Sequence, residues 1–211
     1  VFKGEVDFKQ GNVNEALNHF KSSYAKSPDF GTAVYIAKTL VRLQRVEEGA
    51  DVLVKELARS HSPNKRQYNI VAEYLNKFNF HEQAIRVYEN LERRFTLTPE
   101  EYNNISDVNL KLNRLDLAED YIKMALAEKR LPLFLMTYSE VQLKKGNNDL
   151  AEQALLETLK SDESNEHANV LLASVYVKQG RKEDAIKIIN QFDSVQSAHS
   201  QKWASLRSQL D

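Results

Sequence analysis

The chain has no cysteine in its 211 residues. That excludes disulfides, thiolate metal sites and a cysteine nucleophile. It fits the cytoplasm and a bacterial periplasm equally, and both stay open. Only four prolines and six glycines occur, so turns are sparsely marked and an all-helical fold is expected. An excess of one charge is also missing: 29 basic residues stand against 30 acidic ones, for a net charge of −1. A nucleic-acid binder normally carries a basic excess, so that class is disfavoured. No apolar run approaches the roughly eighteen residues that a membrane-spanning helix needs. No N-terminal stretch reads as a signal peptide. The chain opens on Val1 rather than Met, which points to a piece of a longer protein or a processed product.

What is present is an echo. "KQGNVNEALNHF" occupies residues 9–20 and "KQGRKEDAIKII" residues 178–189. Between them Ala16 finds counterparts in Ala50, Ala84, Ala118, Ala151 and Ala185, at spacings of 34, 34, 34, 33 and 34. A fixed period in this range means stacked repeats. Four residues after each alanine stand Phe20, Val54, Tyr88, Ile122, Leu155 and Ile189, all apolar. Five before stand Gly11, Arg45, Asn79, Asn113, Gly146 and Gly180, mostly residues that accept a left-handed backbone at a helix end. Thirteen before stand Ala37, Val71, Ile105, Tyr138 and Leu172, with Lys3 breaking the column in the first repeat. Each unit therefore reads as helix, turn, helix, loop. The alanine is the small residue that lets two antiparallel helices cross closely. In "TPEE", Thr98 is a candidate N-cap, Pro99 suits the first helical position and Glu101 completes a capping box. Helices are expected near 31–43, 47–59, 65–77, 81–93, 99–111, 115–128, 132–145, 148–160, 165–178, 182–194 and 198–210.

A 34-residue helix–turn–helix unit with a small residue, an apolar partner four later and a proline near its end resembles the tetratricopeptide repeat. The resemblance runs along essentially the whole chain in six degenerate copies, with "KQGNVNEALNHFKSSYAKSP" and "VLLASVYVKQGRKEDAIKII" as the best matches. It implies an all-α, right-handed α–α superhelix, a solenoid of six repeats. Their expected bounds are 1–30 (first helix truncated), 31–64, 65–98, 99–131, 132–164 and 165–197. Residues 198–211, with Trp203, are expected as a capping helix or half of a seventh repeat, all in one solenoid domain. The implied function is a protein–protein interaction scaffold, binding an extended peptide or a partner helix in a concave groove.

Little else in the sequence carries chemistry. His19, His61, His81, His167 and His199 show no metal-ligand spacing. No nucleophile motif, phosphate loop or dinucleotide fingerprint occurs. No catalytic, cofactor or metal site is expected, and the chain is not read as an enzyme. The nine Tyr and nine Phe fall largely in packing columns rather than on a base-stacking platform.

By the resemblance, the first helix of each unit lines the concave face. Eleven before each alanine stand Glu5, Thr39, Glu73, Asp107, Glu140 and Ser174. Seven before stand Lys9, Leu43, Lys77, Lys111, Lys144 and Lys178. The groove candidates are Tyr35, Asn69, Ile70, Glu73, Asn76, Asn103, Asn104, Asp107, Met136 and Glu140. Asparagine both donates and accepts, so it can hold a peptide backbone without reading side chains, and the carboxylates would favour a partner of basic character. The plainer reading is solvated helix faces with i,i+4 pairs such as Asp107–Lys111. Some relatives of this repeat clamp acidic chaperone tails with lysine and asparagine, and no window here carries that set. Two alternatives stay open. One is a regulatory or targeting segment of a larger protein, as in bacterial envelope, secretion or exopolysaccharide systems. The other is an RNA-binding helical repeat.

Overall fold

A computed structural model describes residues 1–192 and 199–210, which form thirteen α-helices and no strand. They divide into two compact units, Val1–Leu97 and Thr98–Asp211. The first unit holds α1 (Phe2–Gln10), α2 (Val13–Lys26), α3 (Phe30–Arg42), α4 (Val46–Arg59), α5 (Lys65–Lys77) and α6 (His81–Glu92). The second holds α7 (Pro99–Lys111), α8 (Leu115–Glu128), α9 (Pro132–Lys145), α10 (Asn148–Ser161), α11 (Glu166–Lys178), α12 (Lys182–Phe192) and α13 (Ser200–Ser208). Within each unit a helix packs against its neighbours in sequence. Every expected helix is present and starts within two residues of its expected position. The expected stretch 193–194 and position 198 lie outside the described residues.

The repeat columns have the expected physical roles. Ala16, Ala84, Ala118, Ala151 and Ala185 are fully buried. Phe20, Tyr88, Ile122, Leu155 and Ile189 lie beside them in the core. Gly11, Asn79, Asn113, Gly146 and Gly180 all take left-handed backbone, with φ between 58° and 86°. Each ends a first helix and lets the chain reverse into the second.

The second repeat departs from the expected register. Its left-handed residue is Gln44 (φ 60°), while Arg45 has φ −104° and caps α4. Counting from Gln44, the crossing residue is Gly49, not Ala50. The apolar partner four later is then Leu53, which is buried, whereas Val54 is 38% exposed. The spacings become 33 and 35 on either side of Gly49. Gly49 is the smaller residue because Tyr74 of α5 lies across it. A Cβ at Gly49 would sit 2.1 Å from the Tyr74 hydroxyl, which donates to Val46 O at 3.0 Å. Burial pushes that phenol up to about 12.

In this register another column appears, twelve before the crossing residue: Gly4, Ala37, Ala72, Ser106, Ser139 and Ala173, all small and all buried. It is the opposing side of the helix crossing. Ser106 Oγ donates to Ala118 O at 2.7 Å, tying one small column to the other.

Capping sets the starts of several first helices. Thr98 and Glu101 form the expected box: Thr98 N donates to Glu101 Oε2 at 2.7 Å and Glu101 N to Thr98 Oγ1 at 3.3 Å. Asn64 and Gln67 form a second box on α5. At the other end, Trp203 of α13 is buried against Val170, Ala173 and Ile189 and stacks on Phe192 with ring centroids 5.2 Å apart. Its Nε1 donates to Glu166 Oε1 at 2.9 Å. The helix α13 thus covers apolar surface of α11 and α12, as a cap does.

Candidate functional site

In the second unit, the first helices α7, α9 and α11 line a pocket of about 540 Å³. Asn103, Asn104, Asp107, Met136 and Glu140 all face it, so five of the ten sequence candidates come together here. Leu133, Thr137 and His167 join them. Leu133 and His167 stand eighteen before their repeat alanines, a column the sequence reading did not follow. Leu133 is 62% exposed and presents apolar surface to this pocket, whereas Met136 is nearly buried.

The polar groups divide by whether they already have partners. Lys111 Nζ donates to Asp107 Oδ2 at 2.7 Å, one helical turn on. His167 Nε2 lies 3.2 Å from Glu140 Oε1, and the His167 ring lies 5.3 Å from that of His199. Lys144 donates to Leu110 O at 3.3 Å, at the C-terminal end of α7. Asn103 differs. It is only 4% exposed, and its side-chain oxygen is buried without a hydrogen-bond partner. Leaving such an acceptor unsatisfied costs roughly 1–3 kcal/mol.

In the first unit a separate cleft of about 470 Å³ lies between α3 and α5, with Phe8 of α1 at one end. Of the sequence candidates, Ile70 and Glu73 line it. Asn69, Asn76 and Tyr35 do not. Asn76 Oδ1 lies 3.1 Å from His81 Nδ1, and Tyr35 stacks on Phe20 with centroids 5.0 Å apart. The sequence reading missed Lys38, Val41 and Arg42, which line this cleft. The shifted register hid them: eleven and seven before Gly49 stand Lys38 and Arg42, where Thr39 and Leu43 were expected. Thr39 is fully buried and donates to Tyr35 O at 2.7 Å. Leu43 packs on the α2–α3 core.

Among the described residues, no group of three or more His, Cys, Asp or Glu could hold a metal ion. No helix among them is long and apolar enough to cross a membrane.

Residues 142–210 match a family model described as tetratricopeptide repeat. A tetratricopeptide repeat protein from Parabacteroides merdae superposes on the entire chain with a TM-score of 0.82 and 16% identity, over 83% of its own length. The chain has the tetratricopeptide repeat fold. Further structures with it are similar as well. PilF of Pseudomonas aeruginosa has a TM-score of 0.70 at 18% identity, covering 97% of this chain and 93% of its own. YrrB, a tetratricopeptide repeat protein with an unusual peptide-binding site, has a TM-score of 0.64 at 15% identity, covering 90% and 97%. No curated protein sequence matches the chain. The tetratricopeptide repeat fold in general supports a protein-interaction scaffold.

Proposed function

We propose that this scaffold holds an extended peptide segment in the pocket of α7, α9 and α11. The observation that supports it is Asn103. Its buried oxygen is an acceptor facing a pocket, and a peptide backbone N–H is the matching donor. Asn104 beside it offers a second amide. Leu133 and Met136 provide apolar surface for a side chain of the peptide. Asp107 and Glu140 favour a segment of basic character, though only modestly. Each already has a cationic or ionisable neighbour, and exposed pairs contribute about 0–1 kcal/mol.

The test is capture of peptides from a random library by the full chain, followed by affinity measurements on the captured sequences. An Asn103→Ala, Asn104→Ala double variant should weaken a class of them about tenfold or more, as losing one or two buried hydrogen bonds predicts. An Asp107→Lys variant should weaken the basic members of that class. Wild-type affinity in both folded variants would remove this pocket from the function.

A further inference from the structure

We propose that the cleft between α3 and α5 is a second docking site, for a peptide segment that carries a bulky apolar side chain beside acidic residues. It shares no residue with the α7–α9–α11 pocket and has different chemistry.

The floor of the cleft is apolar. Tyr74 and Phe78 form it as a tilted aromatic pair with centroids 4.7 Å apart, and Val34, Val41 and Ile70 form its walls. All five side chains are half-buried, so each presents surface that a partner could cover. The rim is cationic. Lys38, Arg42 and Lys77 line the cleft against a single carboxylate, Glu73. Lys38 and Lys77 are exposed at the helix surface.

The cations are also placed in an ordered way. The Arg42 guanidinium lies over the Phe8 ring, 3.8 Å from its centroid, and donates to Phe8 O at 2.8 Å. That bond uses one of its five N–H groups, which leaves others to donate to a carboxylate. Lys77 Nζ stands 5.7 Å from the centre of the Phe78 ring. An apolar side chain entering the cleft over these rings would thus have positive charge on both walls. Acidic flanking residues complement that charge and basic ones oppose it. Opposed charge costs affinity, so it also sets specificity.

The test uses the same random-peptide library against the full chain and a Lys38→Glu, Lys77→Glu variant. Both positions are exposed, so helicity by circular dichroism should be unchanged. A class of captured peptides is expected to lose about tenfold or more in affinity for the variant. This class should carry an apolar residue flanked by Asp or Glu, and its binding should weaken as salt rises from about 0.05 to about 0.5 M. The same peptides should weaken in Ile70→Ala, and they should differ from those lost in Asn103→Ala. The proposal fails if no captured peptide depends on Lys38 and Lys77, or if the dependent ones are not acidic. It also fails if the variant instead loses binding to phosphatidylserine-containing vesicles while its peptide affinities stay as in wild type. That result would assign the cations to a lipid surface.

Discussion

At the scale of residues, two positions are tightly determined. Gly49 has no room for a methyl group, because the Tyr74 hydroxyl occupies the place of a Cβ. In a helix alanine is ordinarily favoured over glycine by about 1 kcal/mol. Here Gly49→Ala is expected to destabilise by roughly 1–3 kcal/mol by overpacking. Adding Tyr74→Phe should return part of that, and denaturant midpoints of the two variants would show it. Glu119 is determined by charge. Lys123 and Lys145 both donate to it, and they hold its carboxyl well below the usual range, at about 2. A depressed carboxylate stabilises the fold above its ordinary value of 4.5 and stops doing so as pH falls through about 2. Glu119→Gln should therefore cost about 1–2 kcal/mol at neutral pH, with the difference from wild type shrinking between pH 4.5 and 2. Urea midpoints taken across that range would test the sign.

At the scale of elements, the helices were legible because six copies agree. A Gly or Asn in left-handed backbone recurs at the same distance from a small residue, and a degenerate copy is placed by the others. The second repeat shows the limit. Gly49 and Ala50 are both small and adjacent, so composition alone does not choose between them. The backbone at Gln44 and the burial of Leu53 rather than Val54 do, and glutamine gives no signal for positive φ. That one-residue slip changed the groove chemistry, since Lys38 and Arg42 replace Thr39 and Leu43 on the exposed face. With it, the column seven before the crossing residue is basic in all six repeats: Lys9, Arg42, Lys77, Lys111, Lys144 and Lys178. The pocket of α7, α9 and α11 was read more fully because its repeats carry no such ambiguity. Asn103 was named for its chemistry, yet its burial depends on packing that no pattern reveals. The helix start at Thr98 was legible in four letters, and Thr98→Ala should cost about 0.5–2 kcal/mol by loss of the cap. Thermal unfolding against wild type would measure it.

At the scale of the whole molecule, a stacked array responds to damage locally, because each repeat interacts mainly with its neighbours. Ala118→Leu, at the crossing of α7 and α8, is expected to cost roughly 1–3 kcal/mol. Amide exchange should speed up most in α7, α8 and α9, and least in α13. Uniform acceleration along the second unit would mean the unit opens as one body. The bonds that Arg42 makes to Phe8 O and Lys144 to Leu110 O have a direction in time. In each, a cation from one repeat adds a second donor to a carbonyl at the end of the previous repeat's first helix, 34 residues earlier; Gly11 N and Asn113 N of the turns already donate to these carbonyls. On a ribosome adding roughly 5–20 residues per second, that second donor is made about two to seven seconds after the carbonyl. Each of these two helix ends is thus closed first by its own turn and tied afterwards to the repeat that follows it, in the order of synthesis.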